Sequence, residues 1–549
     1  MAFKSILLTA AALWPMAAMA AAPISVGSGN VAVIEPPVPH PAEKPCVVSL
    51  YTGATFGANN ANFNYTPPAS CPGPYATIVL SVNVSLNAGI QYDRTGTIWV
   101  GGVPLWFGTT AEPAPTQAPS WHFERDVTDY TSLLATPQTG FALIANYTNS
   151  QDTSIITSSA ELLFYPATAK SPAPRVPDEI IPLASPGGGT VALGSSTSVL
   201  TISPALPTNI EAAALDVYLQ GQSGDEFWYT CVPNALAGEL ESCGGGTVRE
   251  GEISIDGTPA GVAPVSPWIF TGGIDPYLWS PIPGVQTLDF KPFRVPLSPF
   301  AGVLSNGAQH SISLSVFGAN NYFSVAGALF LYLDPNSTTV TGKVTKNTLS
   351  ATPVVNTTNT IASTDSGISG KVDTSELRKF TIAGTVTGSH GTINYQVDQS
   401  TKFTNDQTFA ITASTYLQNI KQDTVTTVAT TTATTGGTSV ATATHDTPLT
   451  ADISEGFAAN GNGFQKTSIS QLFADTNKML TNGTVTNSSS YTDSIITGDT
   501  LLIGGNYITG NKDQSSSASY LTKGTNQPCF GQKLASLNGT LISAVITCK

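Results

Sequence analysis

Positive charge is scarce in this sequence: 22 Lys and Arg stand against 36 Asp and Glu, for a net charge of −14 over 549 residues. Such a chain could not neutralise a row of phosphates, so nucleic acid is excluded as a partner. Charge of either sign is sparse, at 11% of residues, and Gly, Pro, Ser, Thr and Asn fill the surface that Lys and Glu usually occupy. The five histidines, His40, His122, His310, His390 and His445, are scattered, and no CxxC or Cys/His spacing accompanies them. No metal site is expected. G-x-S-x-G, P-loop and dinucleotide signatures are missing, and Gly187-Gly188-Gly189 matches only a linker, so no cofactor is expected either. Past the first twenty residues no stretch reaches the ~18 uninterrupted apolar residues of a membrane span.

What is present begins with a leader. Lys4, the apolar run Ile6 to Leu13 and Ala18-Met19-Ala20 have the build of a Sec-type bacterial signal over residues 1 to 20. The mature chain is expected to be secreted or periplasmic, away from the membrane and monomeric. Six cysteines in an exported chain read as disulfides. Pairing Cys46 with Cys71, Cys231 with Cys243 and Cys529 with Cys548 keeps every bridge local.

The periodicity predicts an all-β protein. Residues 21 to 44 form a proline-rich extended lead-in. Residues 45 to 168 hold short apolar segments between Gly, Pro and Asn turns, as in a sandwich, with one short turn at Val127 to Leu134. Residues 169 to 190 read as a linker. A second β-rich unit runs from 191 to 335, with strands at Glu211 to Leu219, Glu252 to Ile255 and Ser311 to Val316. Residues 336 to 549 turn to Thr, Ser and Asn and read as a β-rich accessory region, in which Thr424 to Thr444 suits either exposed strand or disorder.

The stretch Gln91 to Gly102 reads as a strand ended by a Gly-Gly turn, with Asp93, Thr95 and Thr97 on one face. A carboxylate among aromatics is a candidate acid or base; a rim aspartate paired with arginine is the plainer reading. In Gly224-Asp225-Glu226-Phe227-Trp228-Tyr229-Thr230-Cys231 two acids meet three aromatics, which favour a protonated carboxyl and also make sugar platforms. A core strand with acids in its turn fits the same residues. Trp121-His122-Phe123-Glu124-Arg125-Asp126-Val127-Thr128 is similar in composition, and Asp126 or Thr128 reads equally as a turn cap. Thr271 to Trp279 is an irregular aromatic loop, for binding or for packing.

Asp93 with its strand, Thr110-Ala111-Glu112-Pro113, Arg125-Asp126-Val127-Thr128, Gly224 to Tyr229, Ser254-Ile255-Asp256-Gly257, Phe270-Thr271-Gly272-Gly273-Ile274, Pro299-Phe300, Gly307 and His310 occur in that order. Over residues 45 to 340 the chain thereby resembles the plant-type, acid-active peptide:N-glycanases. The resemblance implies two packed eight-stranded antiparallel jelly rolls with the site where they meet. It also implies hydrolysis of the amide between asparagine and the first N-acetylglucosamine of an N-linked glycan, on glycopeptides and glycoproteins. Tyr92-Asp93-Arg94 with Ile98-Trp99-Val100, and Glu226 before Trp228, are more distantly similar to the bacterial F-type amidases. Where those have a further glutamate this chain offers Asn146, and no arginine stands near Asp275 to Tyr277.

These readings make Asp93 the carboxylate that deprotonates water, and Glu226, raised by Phe227 and Trp228, the group that orients the amide or protonates the amine. Trp121, Trp228 and Trp279 are expected as sugar walls, with Arg94, Glu124, Asp225 and Asp275 as further substrate contacts. A charge-poor surface loses few ion pairs in acid, which predicts an optimum below pH 5. A non-catalytic carbohydrate-binding sandwich, or a glycosidase, fits the composition as well.

Overall fold

A computed structural model of the chain describes residues 24–57, 60–505, 507–525 and 529–548. The leader expected over residues 1 to 20 lies outside them. The first unit holds β1 (Cys46–Phe56), β2 (Ala61–Tyr65), β3 (Tyr75–Leu86), β4 (Thr95–Val100), β5 (Val103–Thr109), β6 (Ser120–Asp126), β7 (Gln138–Ile144) and β8 (Ile156–Pro166). They pair antiparallel as β1-β8-β3-β6 and β2-β7-β4-β5, the strand order of a jelly roll. Alternation drives the layering: in β6, Trp121, Phe123 and Arg125 point inward while Ser120 and Asp126 are exposed. Two 3₁₀ turns, Thr128–Tyr130 and Leu133–Ala135, occupy the expected short turn.

The second unit begins earlier than its composition suggests. Within the stretch read as linker, β9 (Glu179–Leu183) pairs with the last strand of this unit, because Ile180, Ile181 and Leu183 supply apolar side chains between the prolines. After it come β10 (Val191–Leu193), β11 (Val199–Ile202), β12 (Ile210–Gly221), β13 (Glu250–Ile255), β14 (Thr258–Pro264), β15 (Phe293–Pro296), β16 (Ile312–Phe317) and β17 (Phe323–Leu333). Their order, β10-β17-β12-β15 facing β11-β16-β13-β14, repeats that of the first unit.

The described residues beyond 336 form thirteen strands, from β18 (Thr341–Asn347) to β30 (Thr540–Cys548), in one antiparallel sheet. Thr424 to Thr444 is ordered strand within it: β23 spans Thr415–Thr434 and β24 spans Gly437–Asp446. The sheet is not a separate module. Phe380, Phe403, Ile420, Ile495 and Leu534 belong to the same apolar cluster as Leu215, Trp228 and Ile253 of the second jelly roll. Its polar side chains also answer the backbone of loops that have no strand partner. Asn405 Nδ2 donates to Tyr229 O (2.9 Å), Gln407 Nε2 to Cys231 O (2.8 Å), Gln418 Nε2 to Thr230 O (2.9 Å) and Gln471 Nε2 to Pro267 O (2.7 Å). The three local disulfides, Cys46–Cys71, Cys231–Cys243 and Cys529–Cys548, are formed.

Candidate active site

The two jelly rolls are joined by main chain as well as by packing. Thr109 N donates to Thr287 O and Phe290 N to Phe107 O, both at 2.9 Å, so β5 is extended by residues 287–290 of the second unit. Phe107 packs against Phe290 and Tyr218, and Trp268 stacks on Phe290 at 4.2 Å. Arg125 reaches across to Asp289 at 2.8 Å and to the Tyr218 hydroxyl at 2.5 Å, a buried ion pair with additional hydrogen bonds that satisfy it.

This joint fixes where β4 begins and where the 271–279 loop ends up. Asp93 does not lie in the strand. It sits two residues before Thr95 in an irregular segment whose backbone is claimed by side chains: Arg94 N donates to Thr110 Oγ1 (2.9 Å) and Asp93 N to Glu112 Oε2 (3.2 Å). From the second unit, Gly272 N donates to Asp93 Oδ2 at 2.9 Å, and Thr271 Oγ1 donates to Thr110 O at 2.7 Å. A Cβ at Gly272 would collide with Glu112 Oε2 and lie 3.2 Å from Asp93 Cγ. Two carboxyls of the first unit therefore close on one glycine of the second.

Glu226, in the turn after β12, completes the group. Burial and the charge of Asp93 push it up to about 7. Glu112 is likewise pushed up to about 7, by burial first, then by Asp93, with Glu226 adding to it. Asp93 is also raised, by burial; the Gly272 N–H and Arg94 pull it back without prevailing. Like charges in a partly dry site cannot all ionise, so the set loses its protons in steps that belong to the group. Asp93 is the member with the most help for a negative charge: the Gly272 N–H at 2.9 Å and the nearby Arg94 both pull its carboxyl down against the burial that raises it.

Glu112 was not among the expected site residues. Its signal was visible in Thr110-Ala111-Glu112-Pro113, but nothing in local spacing ties a residue nineteen positions downstream to Asp93. Arg94 lies beside the site, bonded to Gln91 Oε1 (3.3 Å) and 3.7 Å from Asp152, with its guanidinium over the Tyr92 ring. Asp225 is fully buried. It pairs with Arg249 at 3.0 Å and accepts the Asn320, Asn321 and Tyr322 N–H groups, which anchors the turn that carries Glu226. Asn146 is buried too, accepting from Gln91 Nε2 at 3.0 Å.

The three tryptophans are core residues, with 5% of Trp121, 2% of Trp228 and 3% of Trp279 exposed, and a ring that buried has no face for a sugar. Trp279 braces the site loop by donating from Nε1 to Gly273 O (2.9 Å). Trp121 and Glu124 line a different cavity, of about 280 Å³, against residues 30–37, where Glu124 accepts the Val38 N–H. Asp275 lies in the site loop but is buried away from Asp93, against Asp499. Among the aromatics left open are Tyr92 (49% exposed), next to Asp93, and Tyr147 (60%), next to Asn146.

The chain is similar to several known proteins. A family model, "Peptide N-acetyl-beta-D-glucosaminyl asparaginase amidase A", matches residues 35–350. Peptide-N4-(N-acetyl-beta-glucosaminyl)asparagine amidase A of Prunus dulcis is 31% identical over 392 residues, 67% of this chain and 67% of that one. Two solved structures are similar at 13% identity over 53% of this chain. One is PNGF-II, with a TM-score of 0.36 and 66% of its chain covered; the other is PNGase F from Flavobacterium meningosepticum, with 0.35 and 96%. Likeness at those scores is too slight to give any residue a role.

Proposed function

The chain belongs to the peptide N-acetyl-β-D-glucosaminyl asparaginase amidase A family, and on that footing we propose that it hydrolyses the amide joining asparagine to the first N-acetylglucosamine of N-linked glycans. The observation that carries the reading is the convergence of Asp93 and Glu112 of the first jelly roll on Gly272 of the second, with Glu226 of the second close enough for its charge to act with theirs. A sugar-binding sandwich has no need of three carboxyls at a domain joint, two of them holding protons to about pH 7.

In the reaction, ionised Asp93 takes a proton from a water whose oxygen bonds to the asparagine side-chain carbonyl carbon. Protonated Glu112 donates a hydrogen bond to the carbonyl oxygen as negative charge gathers there. Glu226 gives its proton to the nitrogen as the C–N bond breaks, and the glycan leaves as a glycosylamine. The peptide keeps aspartate, and the proton held by Asp93 resets the group. Tyr92 offers the first sugar an exposed ring beside Asp93, with Arg94 held against it. The cycle needs Asp93 charged while both glutamates are neutral, which places activity on the acidic side of pH 7. Export of the mature chain suits that chemistry, since N-glycoproteins are met outside the cell.

The test is mass spectrometry of a defined glycopeptide after incubation with the protein. Expected is loss of the whole glycan with asparagine converted to aspartate, and no conversion by a folded Asp93→Asn variant. An intact glycopeptide would favour the binding-module reading. A peptide that keeps one sugar would mean a glycosidase.

A further inference from the structure

The loop that presents Gly272 is held largely from outside its own jelly roll. Residues 271–279 pair with no strand, and Ile274 has φ 66°, a left-handed conformation that β-branched residues rarely adopt. A loop so placed relaxes unless neighbours over-determine it. The neighbours are three strands of the C-terminal sheet: β26 (Gly463–Thr481), β27 (Thr484–Gly504) and β28 (Tyr507–Gly524). Gln465 Nε2 donates to Ile274 O (3.1 Å), Thr497 Oγ1 to Leu278 O (2.8 Å) and Gln514 Nε2 to Ser280 O (3.1 Å).

Amid these bonds, Asp499 meets Asp275. Both are buried, at 3% and 0% exposure. Asp275 Oδ1 accepts the Tyr277 N–H (2.9 Å) and Asp499 Oδ1 accepts from Asn511 Nδ2 (2.8 Å). Among the described residues, no donor satisfies the buried Oδ2 atom of either. One proton between the two carboxyls serves both; with no proton, two negative charges face each other in a dry contact. Among the described residues, the charge of Asp513 of β28 also acts on Asp499 and adds to the repulsion.

We propose that Gln465, Thr497 and Asp499 are positioning residues of the active site, which hold the 271–279 loop so that Gly272 N–H meets Asp93, and that the Asp275–Asp499 contact makes this hold tight in acid and loose in alkali. The assignment rests on Asp93 as the catalytic carboxylate. Burial, and then the charge of Asp499, push Asp275 up to about 7, so the hold weakens over the range in which Glu112 and Glu226 lose their protons. The C-terminal sheet thereby acts on turnover without touching substrate.

Backbone hydrogen exchange over residues 270–280, corrected for its intrinsic pH dependence, reads the hold without substrate. Protection in the wild-type protein is expected to fall by about tenfold or more between pH 5 and pH 8. In Asp499→Asn, whose amide donates to Asp275 at any pH, protection should stay level. Asp499→Ala should lower kcat at pH 5 by about 10- to 100-fold with KM little changed. Level protection in the wild type from pH 5 to pH 8 overturns the proposal, and so does an Asp499→Ala enzyme with wild-type kcat. Exchange needs no turnover, so a protein that released no glycan but showed the pH-dependent protection would sink the amidase reading and leave the loop hold standing.

Discussion

Gly272 gives its N–H to Asp93 and has no room for a side chain, because Glu112 Oε2 and Asp93 Cγ already crowd the position. Gly272→Ala is therefore expected to displace one carboxyl or the loop and to lower kcat/KM by about 100-fold, with little loss of Tm; wild-type turnover would disprove the convergence. The two glutamates set the pH response. Each holds its proton up to about 7, so kcat/KM should fall as pH rises through about 7, and Glu226→Gln should lower kcat by about 10²- to 10⁴-fold at pH 5. A rate that climbs from pH 6 to pH 8 would contradict the proton-donor roles. Asp225, one residue before Glu226, shows why neighbouring acids need not share a role: with Arg249 and three backbone N–H groups around it, all its acceptor capacity is spent on the fold.

At the scale of elements, the strands were readable because their apolar residues alternate, and the turns because Gly, Pro and Asn punctuate them. β12, β13 and β16 fall within a residue or two of the segments that periodicity picks out. Asp93 was legible as a candidate. Its place outside β4 was not, since that depends on Thr110 and Glu112 taking its neighbours' hydrogen bonds. Aromatic composition misled for Trp121, Trp228 and Trp279: a strand or turn shows that a ring alternates, not which side another layer covers. For Trp228 the covering layer is Phe403, 175 residues downstream. β9 was hidden by flanking prolines. The amide row of the C-terminal sheet was hidden as well, because Gln and Asn at alternate positions look like solvent-facing residues until irregular loops claim them. Gln471 is 1% exposed, donates to Pro267 O and accepts from Val285 N at 3.3 Å. Gln471→Ala should cost about 1–3 kcal/mol in denaturant unfolding, a loss that a solvent-facing residue would not produce.

At the scale of the whole molecule, buried carboxyls predict more stability in acid than in alkali. Burial pushes Glu250 up to about 8 and Glu376 and Asp275 to about 7. In an unfolded chain such groups ionise near 4. Below that pH both states keep the protons and no stability is lost. As pH rises, the unfolded chain ionises first, so the native state weakens until pH passes the folded values near 7 to 8. Glu124 and Asp256, held below their ordinary values by hydrogen bonds, act in the opposite sense. Calorimetry should show a higher Tm at pH 5 than at pH 8; the reverse order would mean that the buried carboxyls are relieved in some other way. The sparse charge in the sequence predicts acid tolerance for a related reason, few ion pairs to break, and the buried Glu250, Glu376 and Asp275 add a second.

The reaction itself is tested most directly by running it in ¹⁸O-labelled water with a defined N-glycopeptide at pH 5. Attack of water on the asparagine carbonyl places one ¹⁸O in the new aspartate side chain of the deglycosylated peptide, and a folded Asp93→Asn protein leaves the peptide unlabelled and glycosylated. Release of glycan with an unlabelled asparagine left on the peptide would show that the bond to the sugar is cut instead, and the amidase account would fall.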